Sequence, residues 1–306
     1  MRARLILNGK KAALQPVRDA VQALRRAGHA IEVRVTWEKG DVERLVAEAA
    51  AEGVGRIIAG GGDGSVNEMA NGLMQLDQPD ADHRPAMGIL PLGTANDFAT
   101  ACRVPTDPVA ALTLACEGSP RPVDLARAND RWFVNVASGG FGAAVTAETP
   151  VELKDFLGGG AYTLMGILKA VNFRPYECTI RTPDGETKGR MIVGAVCNGR
   201  QAGGGQPLAP EARINDGRLD VVTLQPFSLA DIPEVAAELA AAVAAGAMPW
   251  RGGRWVVRQS VPWVETESAG ELPVNLDGEP MKSHHFRFEA VPGAVRMVLP
   301  EDCPCL

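Results

Sequence analysis

Several features that would assign this chain to a well-known class are missing from its sequence. Its six cysteines form no C-x-x-C pair, and its four histidines lack the spacing of metal ligands. No apolar run approaches the length of a membrane span, and the first four residues lead into a predicted strand rather than a signal peptide. We therefore expect a cytoplasmic protein in a reducing compartment.

An excess of basic residues is also missing. The 306 residues include 31 Lys and Arg against 37 Asp and Glu, which gives a formal net charge of -6. That balance gives no support to a nucleic acid partner. It also provides no long-range attraction to an anionic membrane, so any membrane contact must depend on a local patch.

The most informative stretch is the glycine-rich run Gly60-Gly61-Gly62-Asp63-Gly64-Ser65-Val66-Asn67-Glu68. A strand is predicted before it at 55–59, and a helix is predicted to start at Met69. A strand, a glycine turn and a helix N-terminus together can hold a phosphate group, because free amides point at the anion. Neither common nucleotide signature is present: the Rossmann G-x-G-x-x-G pattern fails at Ser65, and no G-x-x-x-x-G-K-[ST] occurs.

Two interpretations of this run are open. Ser65 and Glu68 have the spacing of a capping box, which would explain both residues by helix initiation alone. Asp63 favours the phosphate interpretation, because a carboxylate inside a phosphate loop repels phosphate unless a divalent cation lies between them. Mg²⁺ favours that arrangement of carboxylate, water and phosphate oxygen.

The first third of the chain alternates strands with helices, which predicts a doubly wound parallel sheet. The predicted strands are 5–7, 31–35, 55–59 and 86–90, with helices over 17–27 and from Asp41 onward. Ligands of such sheets lie beyond the carboxyl ends of the strands. Thr36, Asp63 and Thr94 all follow strand ends, so one crevice could hold all three. Thr94 and Asp97 also have the spacing of a helix cap, and that alternative is open.

From residue 124 onward the pattern changes to short strands separated by turns, which is typical of an antiparallel sandwich. The predicted strands are 131–136, 177–180, 191–196, 219–222, 254–257, 274–276, 286–290 and 295–298, with one Ala-rich helix over 229–245. We expect an α/β nucleotide-binding domain over 1–124 and a β-sandwich domain over 125–306. The extreme C-terminal segment could pack back on the first domain, and the active site is expected in the interdomain cleft.

Several ordered motifs resemble the diacylglycerol kinase catalytic domain, and the resemblance covers almost the whole chain. They are G-G-D-G-S-V-N-E at 61–68, P-L-G-T-A-N-D-F at 91–98, G-G-G at 203–205 with A-P at 209–210, D-G-R-L-D-V at 216–221 and N-L-D-G-E-P at 275–280. V-T-W-E-K-G-D at 35–41 and N-G-R-Q-A-G-G-G-Q at 198–206 look like the bacterial YegS-type lipid kinases in particular. Asn8-Gly9-Lys10 departs from the Asn-Pro start common among wider diacylglycerol kinases, which makes the YegS branch the closer match.

The resemblance implies an ATP-dependent lipid kinase with a phosphofructokinase-like first domain and a β-sandwich second domain. Nucleotide contacts are implied for Thr36, Gly62, Asp63, Gly64, Ser65, Val66, Asn67, Glu68 and Thr94. The proton acceptor is implied at Glu279, with Asp63 as a rival for that role. A structural divalent cation is implied at the side chain of Asp216 and the main-chain carbonyls of Arg213 and Arg218. Known activity in the YegS branch points to phosphatidylglycerol, with Mg²⁺ or Ca²⁺ as cofactor.

The lipid side of the reaction is less well defined by sequence. A phosphatidylglycerol or diacylglycerol-like substrate implies transient peripheral contact with a membrane, and a homodimer is left open. The uncharged stretch 156–168 could line an acyl-chain entrance or form a buried core helix. The aromatic and basic residues at 250–255 could anchor the chain at an interface or form an ordinary loop.

Two other functions are weighed against a lipid kinase. An NAD kinase shares the Gly-Gly-Asp-Gly element, but its Asn-Glu pair lies well downstream, whereas here Asn67 and Glu68 adjoin the loop. A nucleotide-binding regulator that has lost turnover is disfavoured, because Asp63 and Glu279 are both present.

Overall fold

A computed structural model of the protein describes residues 2–78, 80–140, 175–244 and 253–306. Its first part comprises β1 (Arg2–Asn8), α1 (Gln15–Arg26), β2 (Ala30–Thr36), α2 (Asp41–Ala51), β3 (Arg56–Gly61), α3 (Asp63–Met74), β4 (Ala86–Pro91), α4 (Asp97–Ala101) and α5 (Pro108–Glu117). The strands lie in the order β4-β3-β1-β2 with every neighbouring pair parallel. The predicted parallel sheet is therefore confirmed.

Helices cover both faces of this sheet, which explains its continuous apolar strands. Every residue of β3 and β4 is buried, as expected for parallel strands sandwiched between helices. On one face, α1 contributes Val17, Val21 and Leu24 at helical spacing to a core shared with α5. On the other face, α2 and α3 pack together into the largest core, which also includes Phe98 of α4.

The second part is mainly antiparallel. Its strands are β5 (Pro120–Ala128), β6 (Arg131–Phe133), β7 (Val136–Gly140), β8 (Tyr176–Thr182), β9 (Gly185–Met191), β10 (Val193–Cys197), β11 (Gln201–Ala202), β12 (Gln206–Pro207), β13 (Leu219–Leu224), β14 (Val256–Val261), β15 (Trp263–Leu276) and β16 (Glu279–Val298), with helix α6 (Ile232–Ala244) before β14. The predicted sandwich of antiparallel strands is confirmed. A hairpin joins β15 to β16, and its turn residues Asp277 and Gly278 both have positive φ, as the Asp-Gly pair predicts.

Strand β16 joins the two parts into one hydrogen-bonded sheet. It pairs with β5 from Phe288 to Val298, and it meets β4 in parallel at Met297. The chain after β16 packs against the first part, because Cys303 and Cys305 belong to the same core as α2 and α3. Both parts therefore share one continuous sheet and one core.

Several predicted boundaries are wrong, and the first concerns the glycine-rich run. Helix α3 begins at Asp63 rather than Met69. Residues 63–68 of the glycine-rich run therefore belong to the helix. Its N-cap is Gly62, which makes no side-chain capping bond, and the capping-box interpretation of Ser65 and Glu68 is also wrong. The residue before α4 is Asn96 in the left-handed region, so Thr94 does not cap that helix.

Four strand predictions in the second part also change. The stretch 191–196 is divided at Ile192 between the end of β9 and β10. The stretch 131–136 is split into β6 and β7, because the amides of Val134, Asn135 and Val136 donate to Asp277. The stretches 286–290 and 295–298 are parts of the single long strand β16.

Two predictions on membrane contact depend on segments that are only partly described. The stretch 156–168 lies outside the described residues, and so do 250–252. Among the described residues, no helix combines the length and apolar character needed to cross a membrane.

Candidate active site

The carboxyl edge of the parallel sheet carries the residues predicted to bind a nucleotide. Thr36 ends β2 beside Asn8 of β1, and Asp63 and Thr94 follow β3 and β4. The two glycine turns touch: a Cβ added to Gly93 would lie 2.5 Å from the Cα of Gly62. Main chain rather than side chain therefore forms this part of the edge.

Asp63 links the two turns through its carboxylate. Its oxygens accept hydrogen bonds from the amides of Asp97 and Phe98, each at 3.0 Å. Burial raises the pKa of Asp63 and the charge of Asp97 raises it further, although the two amides act in the opposite direction. Each carboxylate oxygen keeps a second lone pair, so Asp63 can still accept from a water of a hydrated cation.

The following residues of α3 do not all face the crevice. Val66 is buried in the largest core, and buried Asn67 accepts a hydrogen bond from Asn71 at 3.0 Å. The side chain of Ser65 packs where a Cβ on Gly61 would be. The Val66 amide donates to the Gly62 carbonyl at 3.2 Å, so Val66 and Asn67 are held inside the helix, whereas Glu68 is exposed.

Asp277 lies on the facing wall of the crevice, at the β15–β16 turn. Its carboxylate accepts hydrogen bonds from the amides of Val134, Asn135 and Val136 at 2.6–3.1 Å. Burial raises the pKa of Asp277 to about 6 against the effect of these amides, and the charge of Asp63 adds to the rise. The turn and the glycine loop are thus close enough for their carboxylates to interact.

Glu279 is exposed at the start of β16 and faces α3. Burial of Glu68 raises its pKa, and the charges of Glu43 and Glu279 raise it further, while Lys39 lowers it. Carboxylates from both parts therefore concentrate negative charge at one crevice, which is the donor set that a hard divalent cation prefers.

The loop between β11 and β12 docks on α4, a contact that the sequence did not predict. The amides of Gly204 and Gly205 donate to the Asp97 carboxylate at 3.0 and 2.6 Å. The side chain of Gln201 donates to the Asp97 carbonyl at 3.1 Å. The available signal was the run of three glycines, each with positive φ in the structure.

Trp37 is a second residue that sequence reasoning passed over. Its side chain is 93% exposed directly after Thr36, and its amide donates to Asp41 at 2.6 Å. An exposed indole at the rim of the crevice can stack on a planar group such as a nucleobase. The available signal was an aromatic residue immediately after a strand end.

The residues predicted to hold a structural cation lie apart from the crevice, in the turn before β13. Burial raises the pKa of Asp216, and the charges of Asp220 and Asp124 raise it further. Arg218 donates to the main chain of Ser260 and Arg213 donates to Leu306, so both guanidinium groups are occupied elsewhere. Asp220 is paired with Arg258, and Asp124 accepts the amides of Gly217 and Gly293, so the side chain of Asp216 and main-chain oxygens are the groups that could hold a cation in this turn.

Comparisons with known proteins agree on one family. The diacylglycerol kinase catalytic domain matches residues 2–128, and the YegS C-terminal NAD kinase beta sandwich-like domain matches residues 135–299. A relative from Shewanella frigidimarina (strain NCIMB 400) named "Probable lipid kinase YegS-like" is 50% identical over 303 residues, which is 99% of this chain and 95% of the relative. The chain belongs to the YegS-like lipid kinases. A relative of the same name from Chromohalobacter salexigens is 51% identical, and the match covers 99% of this chain and 94% of that relative.

A solved structure agrees with this assignment. A protein from Bacillus anthracis str. Sterne, described as "a putative diacylglycerol kinase", superposes with a TM-score of 0.79 at 25% identity. The match covers 99% of this YegS-like chain and 96% of the other. The protein is thus a lipid kinase, as the sequence motifs predicted, and a kinase implies ATP as the phosphate donor.

Proposed function

We propose that the protein transfers the γ-phosphate of ATP to a hydroxyl group of phosphatidylglycerol, with Glu279 as the general base. The observation that carries this proposal is the hydrogen-bonded connection between the β15–β16 turn and the glycine loop. Asp277 accepts the amide of Asn135, and the Asn135 side chain donates to the Gln201 carbonyl. The Gln201 side chain in turn donates to the carbonyl of Asp97, whose amide binds Asp63. Phosphoryl transfer needs alignment and charge neutralisation, and such a crevice can supply both.

The glycine loop is suited to the phosphate groups of ATP. Two glycine turns in main-chain contact leave room for phosphate, and the first amides of α3 face the crevice. Thr36 and exposed Thr94 would add hydroxyl donors at the rim. Mg²⁺ or Ca²⁺, held through Asp63 and the phosphates, would neutralise charge that develops during transfer.

Glu279 is better suited than Asp63 to accept the proton. Both oxygens of Asp63 accept main-chain amides, and so do both oxygens of Asp277. Within the described residues, no hydrogen bond engages the carboxylate of exposed Glu279. A free carboxylate within reach of an incoming hydroxyl group is what general base catalysis requires.

An apolar cavity of about 40 Å³ lies behind the same hairpin, and its lining includes Val264, Leu272, Val274 and Phe288. This cavity holds a few atoms and not an acyl chain, so the lipid acceptor is proposed from the YegS-like relatives rather than from the cavity.

The turn at Asp216 is proposed to bind a separate structural cation. Support comes from the two arginine side chains, which bind elsewhere, so that within the described residues the carboxylate of Asp216 has no ion-pair partner. Chelation should therefore lower thermal stability even without nucleotide, and Asp216→Asn should remove that response.

One assay tests the proposed acceptor. Purified protein is incubated with γ-labelled ATP and Mg²⁺ in the presence of vesicles of phosphatidylglycerol, vesicles of diacylglycerol, or NAD. We expect label in phosphatidylglycerol above all, with diacylglycerol as the weaker acceptor. Label in NAD alone would refute a lipid acceptor, and absence of transfer to every acceptor would favour a nucleotide-binding regulator.

A further inference from the structure

Three thiols from distant parts of the sequence converge at the end of α4, away from the proposed chemistry. Cys102 directly follows α4, while Cys303 and Cys305 lie in the last residues of the chain. Their Sγ atoms lie within 4.8 Å of one another, and the three residues are 0%, 6% and 1% exposed. Within 2–78, 80–140, 175–244 and 253–306, no other group of three His, Cys, Asp or Glu side chains converges in this way.

We propose that Cys102, Cys303 and Cys305 bind one zinc ion. The donor set is sulfur throughout, and thiolates select soft or borderline cations such as Zn²⁺ over Mg²⁺ or Ca²⁺. With Zn–S bonds of about 2.3 Å, the sulfurs of a tetrahedral site lie about 3.8 Å apart. The three thiols need to close by at most about 1 Å to reach that spacing. The fourth position is open to the Ala101 carbonyl, which accepts the Cys305 thiol at 3.2 Å, or to a small ligand.

The charge around the cluster favours a divalent ion. Three thiolates around Zn²⁺ carry a net charge of −1, whereas three thiolates around Cu⁺ carry −2. The guanidinium group of Arg200 donates to the carbonyl of Pro304, between the two tail cysteines, and also to the Ala212 carbonyl. One positive charge at this position balances a zinc–trithiolate group.

The zinc site would hold the C-terminal tail against the end of α4 in the first part. Residues 299–306 form no helix or strand. They are also bound to the second part, because the Cys305 carbonyl accepts the amide of Ile214 at 2.9 Å and Arg213 donates to Leu306 at 3.0 Å. The other end of α4 supplies the Asp97 and Phe98 amides that bind Asp63. Zinc would thus order α4 from the end opposite the glycine loop.

Zinc binding to the full-length reduced protein is a direct test. We expect about one zinc per chain after purification with a reducing agent, measured by elemental analysis, and rebinding of one equivalent in competition with a chromophoric chelator. Titration with Cd²⁺ should give the ultraviolet charge-transfer absorbance of three thiolates. Cys102→Ser, Cys303→Ser and Cys305→Ser should each weaken zinc binding by at least about 100-fold, because each removes one of three strong ligands.

Cys178→Ser is the matched control, because Cys178 is a buried free cysteine in the second core. It should bind zinc as the unchanged protein does. Because Cys303 lies in the terminal tail, we expect the Cys303→Ser protein to fold. Circular dichroism verifies its fold before metal is measured. The proposal is wrong if the reduced protein binds no stoichiometric zinc, if Cys178→Ser loses zinc as Cys303→Ser does, or if two of the three thiols prove to be joined as a disulfide that excludes metal.

Discussion

Asp277 is connected to Asp63 by hydrogen bonds through Asn135, Gln201 and Asp97. Burial raises the pKa of Asp277 to about 6, and the charge of Asp63 adds to the rise. Asp63 belongs to the first part of the chain and Asp277 to the second. Main-chain amides at the start of α4 bind Asp63, and those between β6 and β7 bind Asp277. The relative position of the two walls is therefore set by backbone hydrogen bonds to carboxylates, which gives the site a geometry that long flexible side chains could not maintain.

The raised pKa of Asp277 predicts how stability depends on pH. The folded state binds a proton up to about pH 6, whereas an unfolded aspartate has a pKa of 3.8, so the contribution from protonation is present at low pH and is lost as pH rises through 6. Relative to Asp277→Asn, the unchanged protein should gain at most about 3 kcal/mol in unfolding free energy between pH 7 and pH 4. Denaturant unfolding of both proteins at pH 7 and pH 4 measures this gain. The prediction is wrong if the unfolding free energy of the unchanged protein does not increase relative to that of Asp277→Asn as the pH falls.

Gly64 provides a test of the phosphate loop. A Cβ at this position would meet no atom within 4 Å, and Gly64 lies in the first turn of α3. Gly64→Ala should therefore raise the unfolding free energy by about 0.5–1 kcal/mol. It should also weaken ATP binding by about 10-fold or more, because the added methyl group would occupy space proposed for phosphate. Isothermal titration with a non-hydrolysable ATP analogue measures that affinity.

Gly55→Ala is the matched control for this substitution, since its Cβ also meets nothing within 4 Å and the residue precedes β3. It should leave nucleotide affinity unchanged. Equal affinity in Gly64→Ala and Gly55→Ala would place the phosphates somewhere other than the first turn of α3.

The parallel sheet could be predicted from sequence because its signals are local. Strands β1, β3 and β4 contain short apolar runs, β2 alternates apolar and charged residues, and α1 shows helical spacing of apolar residues. The start of α3 was misplaced for the opposite reason. Glycine has low helix propensity, and Gly64 lies in the first turn, so the glycine-rich run does not indicate by itself where α3 begins. Asp63 at the first position is compatible with the helix dipole, and its contacts with the amides of α4 help to fix this turn.

The walls of the crevice could be predicted only in part. The Asp-Gly turn at 277–278 is a local signal, but its approach to Asp63 depends on β16 pairing with β5 and β4. The hydrogen bonds from Gly204 and Gly205 to Asp97 join residues more than 100 positions apart. The convergence of Cys102 with the tail is likewise non-local, and no spacing rule along the chain indicates it.

Asp97 should prove to be a positioning residue for the loop at 203–205. Asparagine can accept a hydrogen bond through one oxygen only, so Asp97→Asn leaves the amide of Gly204 or Gly205 facing an NH₂ group, at a cost of about 1–3 kcal/mol. Hydrogen exchange at those two amides should accelerate, and the KM for ATP should rise. Asp107→Asn is the control, because Asp107 caps α5 and asparagine caps equally well. Unchanged exchange in Asp97→Asn would mean that the loop is held by other contacts.

Glu279→Gln separates catalysis from nucleotide binding. The amide retains the shape of the side chain but cannot accept a proton, so turnover should fall by about 10²–10⁴-fold. ATP affinity should change by less than about 3-fold, because main-chain amides of α3 and the glycine turns are the proposed phosphate contacts. Steady-state transfer to phosphatidylglycerol and equilibrium ATP binding, measured on the same preparation, give the two values.

Two further variants make the assignment of the base to Glu279 decisive. Glu271→Gln removes another exposed carboxylate of β15 and should keep full turnover. Asp63→Asn should lower ATP affinity together with turnover, because Asp63 holds the amides at the start of α4 and lies beside the proposed cation. If Glu279→Gln keeps the turnover of Glu271→Gln at saturating ATP, the role assigned to Glu279 is wrong.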